Sequence, residues 1–84
     1  MNILFHKNAW EDYQFWQNND KSIVKKINQM IKAITENPFE GIGKPEPLKH
    51  NLSGLWSRRI NFEHRIIYKV EDYTLYIIQC RYHY

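Results

Sequence analysis

The longest regular pattern of apolar residues in the chain is helical and lies between Asp20 and Asn37. Apolar residues recur there every three or four positions, which places them on one stripe of a helix with lysines on the remaining surface. Asp20 is a preferred N-cap residue, and the Asn37-Pro38 pair ends the pattern because the residue before a proline avoids helical geometry. The predicted stripe consists of Ile23, Val24, Ile27, Met30, Ile31 and Ile34.

A second helical pattern precedes this one and is formed by aromatic residues. Trp10, Tyr13 and Trp16 are three residues apart, which is the spacing of neighbours on one face of a helix. Asn8 and Glu11 stand in the spacing of a capping box, so the helix is predicted to open there. We expect Trp10 and Trp16 to lie in the core.

The second half of the chain is rich in β-branched and aromatic residues, which favour strands. Three such segments are separated by short polar turns and predict an antiparallel meander. An apolar segment at the start of the chain, Asn2 to Phe5, is predicted to join the same sheet. The expected fold is α+β, with two N-terminal helices packed on one face of a mainly antiparallel sheet of four to five strands. The meander strands are predicted at Leu55 to Ile60, His64 to Val70 and Tyr73 to Tyr82.

Alternation within the middle meander strand predicts which residues face the helices. Successive side chains of a strand point to opposite faces of the sheet. Ile66, Tyr68 and Val70 suit the helix-covered face, which directs Arg65 across the open face. In the last strand, packing of the Tyr82 side chain is expected to hold the end of the chain.

Between the second helix and the meander, Asn37 to Gly54 has no periodicity and contains every Pro and Gly of the chain. Loops of this length in a compact domain are usually functional or disordered. Pro45 and Pro47 each fix their own φ and restrain the preceding residue. Glu46 is therefore expected to present its carboxylate from a stiff, extended segment.

The composition is typical of one globular domain over residues 1–84. Hydrophobic residues make up 43% and charged residues 25%, which excludes a wholly disordered chain. No apolar run is long enough to span a membrane, and no basic-then-apolar leader precedes the first strand. Cys80 is the one cysteine, so it cannot form an internal disulfide and is predicted to be a buried residue of a cytoplasmic protein.

The net charge of +3 is carried entirely by the second half of the chain. Residues 1–43 hold five lysines and five acidic residues, whereas residues 44–84 hold seven basic and four acidic residues. All four arginines lie in this second half, interleaved with aromatic residues, a pattern typical of a surface that binds a polyanion. An excess this small is equally typical of an ordinary solvated surface, so charge alone leaves both interpretations open.

Three stretches of the second half are similar to one family of proteins. They are Gly43 to Ile60, which contains the motif GKPEPLKH, then His64 to Tyr68, and the terminal sequence CRYHY. The chain resembles the YoeB-type toxins of bacterial toxin–antitoxin systems, members of the RelE superfamily, over its full length. The resemblance implies a RelE-like toxin fold and a ribosome-dependent endoribonuclease that cleaves mRNA in the 30S decoding site. It also implies neutralisation by a YefM-type antitoxin.

The same resemblance assigns the family's functional positions to Glu46, Arg65, His83 and Tyr84. RNA can be cut by its own 2′-hydroxyl when a base removes the 2′ proton, cations stabilise the phosphorane oxygens and an acid protonates the leaving 5′ oxygen. Our hypothesis is that Glu46 is the base, Arg65 with Lys49 stabilises the charge, and His83 is the acid. Tyr84 would orient the phosphate or stack on a base.

Other basic residues are candidate contacts to RNA or the ribosome. Arg58 and Arg59 are neighbours in a predicted strand, so at most one of them shares the open face with Arg65. The histidines and Cys80 show no metal-ligand spacing, and the hypothetical chemistry needs no cofactor. The candidate contacts are Lys44, Lys49, His50, Arg58, Arg59 and Arg81.

Two other functions remain open. One is a non-catalytic toxin of related fold that inhibits a protein target such as gyrase, although a protein-binding surface needs no acid–base pair. The other is a nucleic-acid-binding repressor that does not cleave. Whether the chain forms a homodimer is also left open by the sequence.

Overall fold

The computed structural model describes residues 1–82, which form two helices and one five-stranded sheet. None of the helices within this range is long and apolar enough to cross a lipid bilayer. The elements in chain order are β1 (Asn2–Phe5), α1 (Lys7–Asn19), α2 (Lys21–Glu36), β2 (Glu46–Pro47), β3 (Trp56–Arg59), β4 (Arg65–Glu71) and β5 (Thr74–Gln79).

The strands lie in the order β1-β5-β4-β3-β2, and all neighbouring pairs are antiparallel except β1 and β5. The meander of β3, β4 and β5 confirms the predicted strand order, and β1 joins the sheet as expected. A parallel pair requires a long crossover, which α1 and α2 supply between β1 and the meander. The predicted α+β architecture is confirmed.

The two helices begin differently. The Asp20 carboxylate accepts hydrogen bonds from the backbone N–H groups of Ser22 and Ile23, at 3.0 and 3.4 Å, so the predicted cap of α2 is confirmed. The predicted capping box of α1 is wrong. That helix begins at Lys7, one residue before Asn8, and its first turn has no side-chain cap. Glu11 instead accepts a bond from Lys7 Nζ at 3.1 Å.

The main core lies between the helices and one face of the sheet. Trp16 is buried and its indole Nε1 donates to the Cys80 carbonyl at 2.9 Å, but Trp10 is 45% exposed, so only one of the two predicted core tryptophans is in the core. Trp10 stacks on Tyr13 and touches the edge of Phe5 at the rim of the core. The buried core residues include the predicted stripe positions Ile23, Ile27, Met30 and Ile34, then Ile60 directly after β3, and the strand residues Ile66, Tyr68, Leu75 and Ile77.

The second face of the sheet is only partly open. Ile66 and Tyr68 face the helices as predicted, and both are fully buried in the main core. Ile67 lies on the opposite face and is nevertheless buried. Its cross-strand partner Ser57 is also buried, and so is Leu48 of the middle segment, residues 37–54. These three residues are not part of the main core cluster. The middle segment therefore adds a small buried cluster on the face that alternation predicted to be open.

The chain leaves the sheet earlier than predicted. β5 ends at Gln79, and the backbone N–H of Cys80 donates to the Asp12 carboxylate of α1 at 3.1 Å instead of continuing the ladder. Tyr82 has a φ of 64°, which interrupts strand alternation, and its side chain is 54% exposed. The expected clamp by the packed Tyr82 ring is therefore wrong.

Cys80 is fully buried as predicted, and burial together with the charge of Asp12 raises the pKa of its thiol to about 12. Because the thiolate is the reactive form, the native protein is expected to resist labelling by a thiol reagent at mildly alkaline pH. The same reagent should modify one thiol per chain after unfolding in guanidinium chloride. Labelling of the native protein as fast as a free cysteine would contradict this burial.

Candidate functional site

The carboxylate predicted to act as the base lies at one edge of the sheet. Glu46 belongs to β2, whose two residues pair with Ser57 and Trp56 of β3. The segment that sequence reasoning treated as a stiff loop thus contains a short strand, and a backbone bond from Leu48 to the Leu55 carbonyl at 2.9 Å extends it. The Glu46 side chain is exposed, so its carboxylate is accessible to a ligand.

A cavity of about 400 Å³ adjoins this carboxylate and is lined by residues 46–52. A single turn of 3₁₀ helix, His50–Leu52, forms one wall, and His50 enters it with a φ of 58°. Lys49 and His50 line the cavity together with Glu46, and the side chains of all three are exposed. The structure therefore brings three of the predicted site residues into one pocket.

Two arginines share the sheet face of Glu46. Arg59 and Arg65 are direct partners across β3 and β4, and Glu46 is the direct partner of Ser57, two residues from Arg59 on the same strand. Directly opposed residues and alternate residues of a strand point to the same face. Ideal sheet spacings give Cα separations from Glu46 of about 8 Å to Arg59 and about 12 Å to Arg65. The face thus presents one carboxylate and two guanidinium groups.

The Arg65 side chain is held by the turn between β3 and β4. Its Nη1 donates to the carbonyls of Asn61, His64 and Phe62 at 3.1, 3.3 and 3.4 Å. The turn itself is fixed by the Asn61 side-chain oxygen, which accepts from the backbone N–H groups of Glu63 and His64 at 2.9 and 2.7 Å. The guanidinium is therefore oriented by the protein before any anion binds.

The structure contradicts a contact between Arg58 and RNA. Arg58 is fully buried on the helix side of the sheet, where it lies opposite Ile66. Its guanidinium donates to the Tyr68 hydroxyl and to three backbone carbonyls of the segment after α2, so it fastens that segment to the sheet. These carbonyls belong to Asn37, Glu40 and Ile42, at 2.5, 2.9 and 3.3 Å. Arg59 is exposed, which agrees with the prediction that at most one of the two neighbouring arginines shares the open face with Arg65.

The remaining predicted residues are dispersed. Lys44 is exposed just before β2. Arg81 is half-buried, with its guanidinium 3.4 Å from the centre of the Phe15 ring of α1, so it braces the segment after β5. His83 and Tyr84 lie outside the described residues.

Sequence reasoning missed a structural role for His64. The ring is buried between Trp16 and Tyr82, and its Nδ1 accepts a hydrogen bond from the Tyr82 backbone N–H at 2.7 Å. Strand alternation contained the signal, because His64 has the same parity as Ile66 and Tyr68, which face the helices. Within residues 1–82, no group of three or more potential ligands is arranged to hold a metal ion.

Comparison with known proteins identifies the family of this chain. Residues 5–84 match the family model described as YoeB-like toxin of bacterial type II toxin-antitoxin system. The chain belongs to this family. Toxin YoeB of Escherichia coli (strain K12) is 60% identical over 84 residues, and the match covers the whole of both chains.

Solved structures of YoeB toxins share the fold described above. The YoeB dimer from Staphylococcus aureus has a TM-score of 0.94 and 55% sequence identity, over 100% of this chain and 98% of that one. The heterotetrameric YoeB–YefM toxin–antitoxin complex from the same organism matches with a TM-score of 0.93, 55% identity and the same coverage.

Proposed function

We propose that this YoeB-like toxin is an endoribonuclease that cuts mRNA in the decoding site of the 30S ribosomal subunit and thereby inhibits translation. The observation that carries the proposal is the shared sheet face of Glu46, Arg59 and Arg65 beside the cavity lined by Lys49 and His50. A carboxylate among cations supplies two of the three kinds of group that attack by a 2′-hydroxyl requires, the base and the charge-stabilising cations. Membership of the YoeB family supports the same reaction.

In the proposed reaction, Glu46 accepts the 2′ proton while the 2′ oxygen bonds to the adjacent phosphorus. The bond from phosphorus to the 5′ oxygen breaks, and His83 donates a proton to that departing oxygen. Arg65 and Lys49 face the charge that develops on the non-bridging oxygens, and Tyr84 orients the phosphate or stacks on a base. The products are a 2′,3′-cyclic phosphate and a 5′-hydroxyl, and no metal ion or cofactor takes part.

Docking on RNA is proposed to depend on the ribosome. Five basic residues remain candidate contacts once the buried Arg58 is excluded. A net charge of +3 neutralises few phosphates, so the affinity for free RNA is expected to be low at physiological salt. Ribosomal RNA and protein would supply the rest of the binding surface. Because the proposed substrate is mRNA on ribosomes, the proposed activity is cytoplasmic. The remaining candidate contacts are Lys44, Lys49, His50, Arg59 and Arg81.

The proposed inhibitor is an antitoxin of the YefM type. The Staphylococcus aureus relative is found in a YoeB–YefM complex. We propose that an acidic, initially disordered tail of the antitoxin folds on binding and covers the face around Arg59 and Arg65. A homodimer of this chain is proposed as well, because a structure of the Staphylococcus aureus YoeB dimer has also been solved.

A single 2′-deoxy substitution at the cleaved nucleotide tests the reaction. It removes the attacking oxygen, so cleavage on programmed ribosomes is expected to stop, while an all-ribose mRNA yields fragments ending in a 2′,3′-cyclic phosphate or its 3′-phosphate product. A deoxy substitution several nucleotides away is the matched control and should leave cleavage unchanged. Cleavage of the deoxy substrate, or a 3′-hydroxyl end, would contradict 2′-hydroxyl attack. Growth arrest without any cleaved mRNA would favour a non-catalytic toxin.

A further inference from the structure

The segment after β5 is tied to the start of β4 by two hydrogen bonds of the Tyr82 backbone, one to the His64 side chain and one to the Arg65 backbone. The Tyr82 N–H donates to His64 Nδ1 at 2.7 Å, and the Tyr82 carbonyl accepts from the Arg65 N–H at 3.0 Å. Both polar groups of the Tyr82 backbone are thus held by consecutive residues, one of which is the proposed phosphate-facing arginine. Tyr82 is also the residue from which the chain continues directly to His83.

The His64 ring is fixed in one orientation and one tautomer. An Nδ1 that accepts a hydrogen bond carries no proton, so the proton of the neutral ring is on Nε2, which lies 3.4 Å from Glu63 Oε1. The ring also meets the edge of Trp16, with ring centres 4.7 Å apart. Trp16 is itself fixed by its bond to the Cys80 carbonyl. The acceptor that faces Tyr82 is therefore built into the core.

We propose that His64 is a positioning residue of the nuclease, whose imidazole Nδ1 fixes the backbone of Tyr82, the residue that precedes His83 in the chain. The inference rests on the proposed function, since it matters only if His83 takes part in cleavage. Misplacement of a reacting group by about 1 Å can cost a factor of about 10² in rate. The bond from His64 thus acts on catalysis without contact between the imidazole and the substrate.

Two substitutions separate positioning from packing. His64→Phe keeps a flat ring against Trp16 but removes the acceptor, and it is expected to lower kcat for mRNA cleavage on ribosomes by about 10 to 10²-fold without raising KM. His64→Asn places a side-chain carbonyl near the position of Nδ1, so it should recover most of kcat although it packs less well.

The matched control is His6→Phe, because His6 is an exposed histidine whose side chain does not cap α1. It should leave kcat, KM and the melting temperature near wild-type values. Amide hydrogen exchange at Tyr82 supplies a readout independent of cleavage and should be faster in His64→Phe than in the wild type.

Full kcat in His64→Phe would overturn the positioning role and leave the proposed function intact. The positioning role would also be overturned if kcat in the Phe and Asn variants fell only in proportion to their melting temperatures, because that would indicate a structural role alone. If the wild-type protein itself does not cleave mRNA on ribosomes, the proposed function fails, and the catalytic consequence of the His64–Tyr82 bond fails with it.

Discussion

Replacing Glu46 with Gln is expected to lower the rate of mRNA cleavage on ribosomes by about 10² to 10⁴-fold, the usual contribution of a general base. The amide keeps the size of the side chain but cannot accept the 2′ proton at neutral pH. Glu46 is exposed on an edge strand, so its replacement removes no packing, and the melting temperature should stay within about 2 °C of the wild type. Single-turnover cleavage and thermal unfolding measure the two effects separately.

Glu36→Gln is the matched control for this variant. Glu36 is also exposed, but it lies at the end of α2, outside the sheet face of Arg59 and Arg65. The substitution makes the same change from a carboxylate to an amide. It should cleave at the wild-type rate. Wild-type cleavage by the Glu46 variant would show that another group removes the 2′ proton, and His50 of the same cavity would become the first candidate.

Replacing Arg58 with Met is expected to cause the largest loss of stability. The change leaves three backbone carbonyls and the Tyr68 hydroxyl without the guanidinium that bonds them. Each buried group left unsatisfied costs about 1–3 kcal/mol, and removal of a desolvated charge offsets part of the total, so the net loss is about 3 kcal/mol. For a domain of this size that corresponds to a fall in melting temperature of about 15 °C, measurable by calorimetry or circular dichroism.

Arg59→Met tests whether the effect belongs to the buried position. Arg59 carries the same side chain one residue later but is exposed on the other face of the sheet. Its replacement should change the melting temperature by only about 2–4 °C, corresponding to about 0.5 kcal/mol. Equal destabilisation by both substitutions would contradict the anchoring role of Arg58. The comparison also separates loss of folding from loss of RNA contact, because Arg59 alone of the pair lies on the proposed RNA face.

Elements with strong local signals were predictable from the chain. The stripe of α2 repeats over four turns, and the Asp20 cap needs only the two backbone N–H groups that follow it, so local geometry determines both. The meander strands β3 and β4 were predicted to within one residue at each end, because β-branched and aromatic residues alternate with polar turns. Glu46 was singled out by its flanking prolines, another local constraint, although the strand pairing of β2 with β3 was not predicted.

Apart from the start of α1, the predictions that failed depended on contacts between residues far apart in the chain. Arg58 looks like any surface arginine in sequence, and only the carbonyls folded over it by the segment after α2 make its burial possible. Trp10 has helical spacing with Trp16, yet in α1 it lies at the exposed rim of the core while Trp16 is buried. β5 stops at Gln79 because Asp12 of α1 takes the next N–H, and His64 then bonds the Tyr82 backbone.

The sequence by itself determined the two helices, the strands β1, β3 and β4, the family and the identity of the chemical groups, because propensity, alternation and motif depend on neighbouring residues. The tertiary structure decided which groups meet. It gave Arg59 and Arg65 one face with Glu46, removed Arg58 from that face, and joined His64 to Tyr82. The reason is physical: a buried polar group must find a partner, and that partner can come from any part of the chain that the fold brings near.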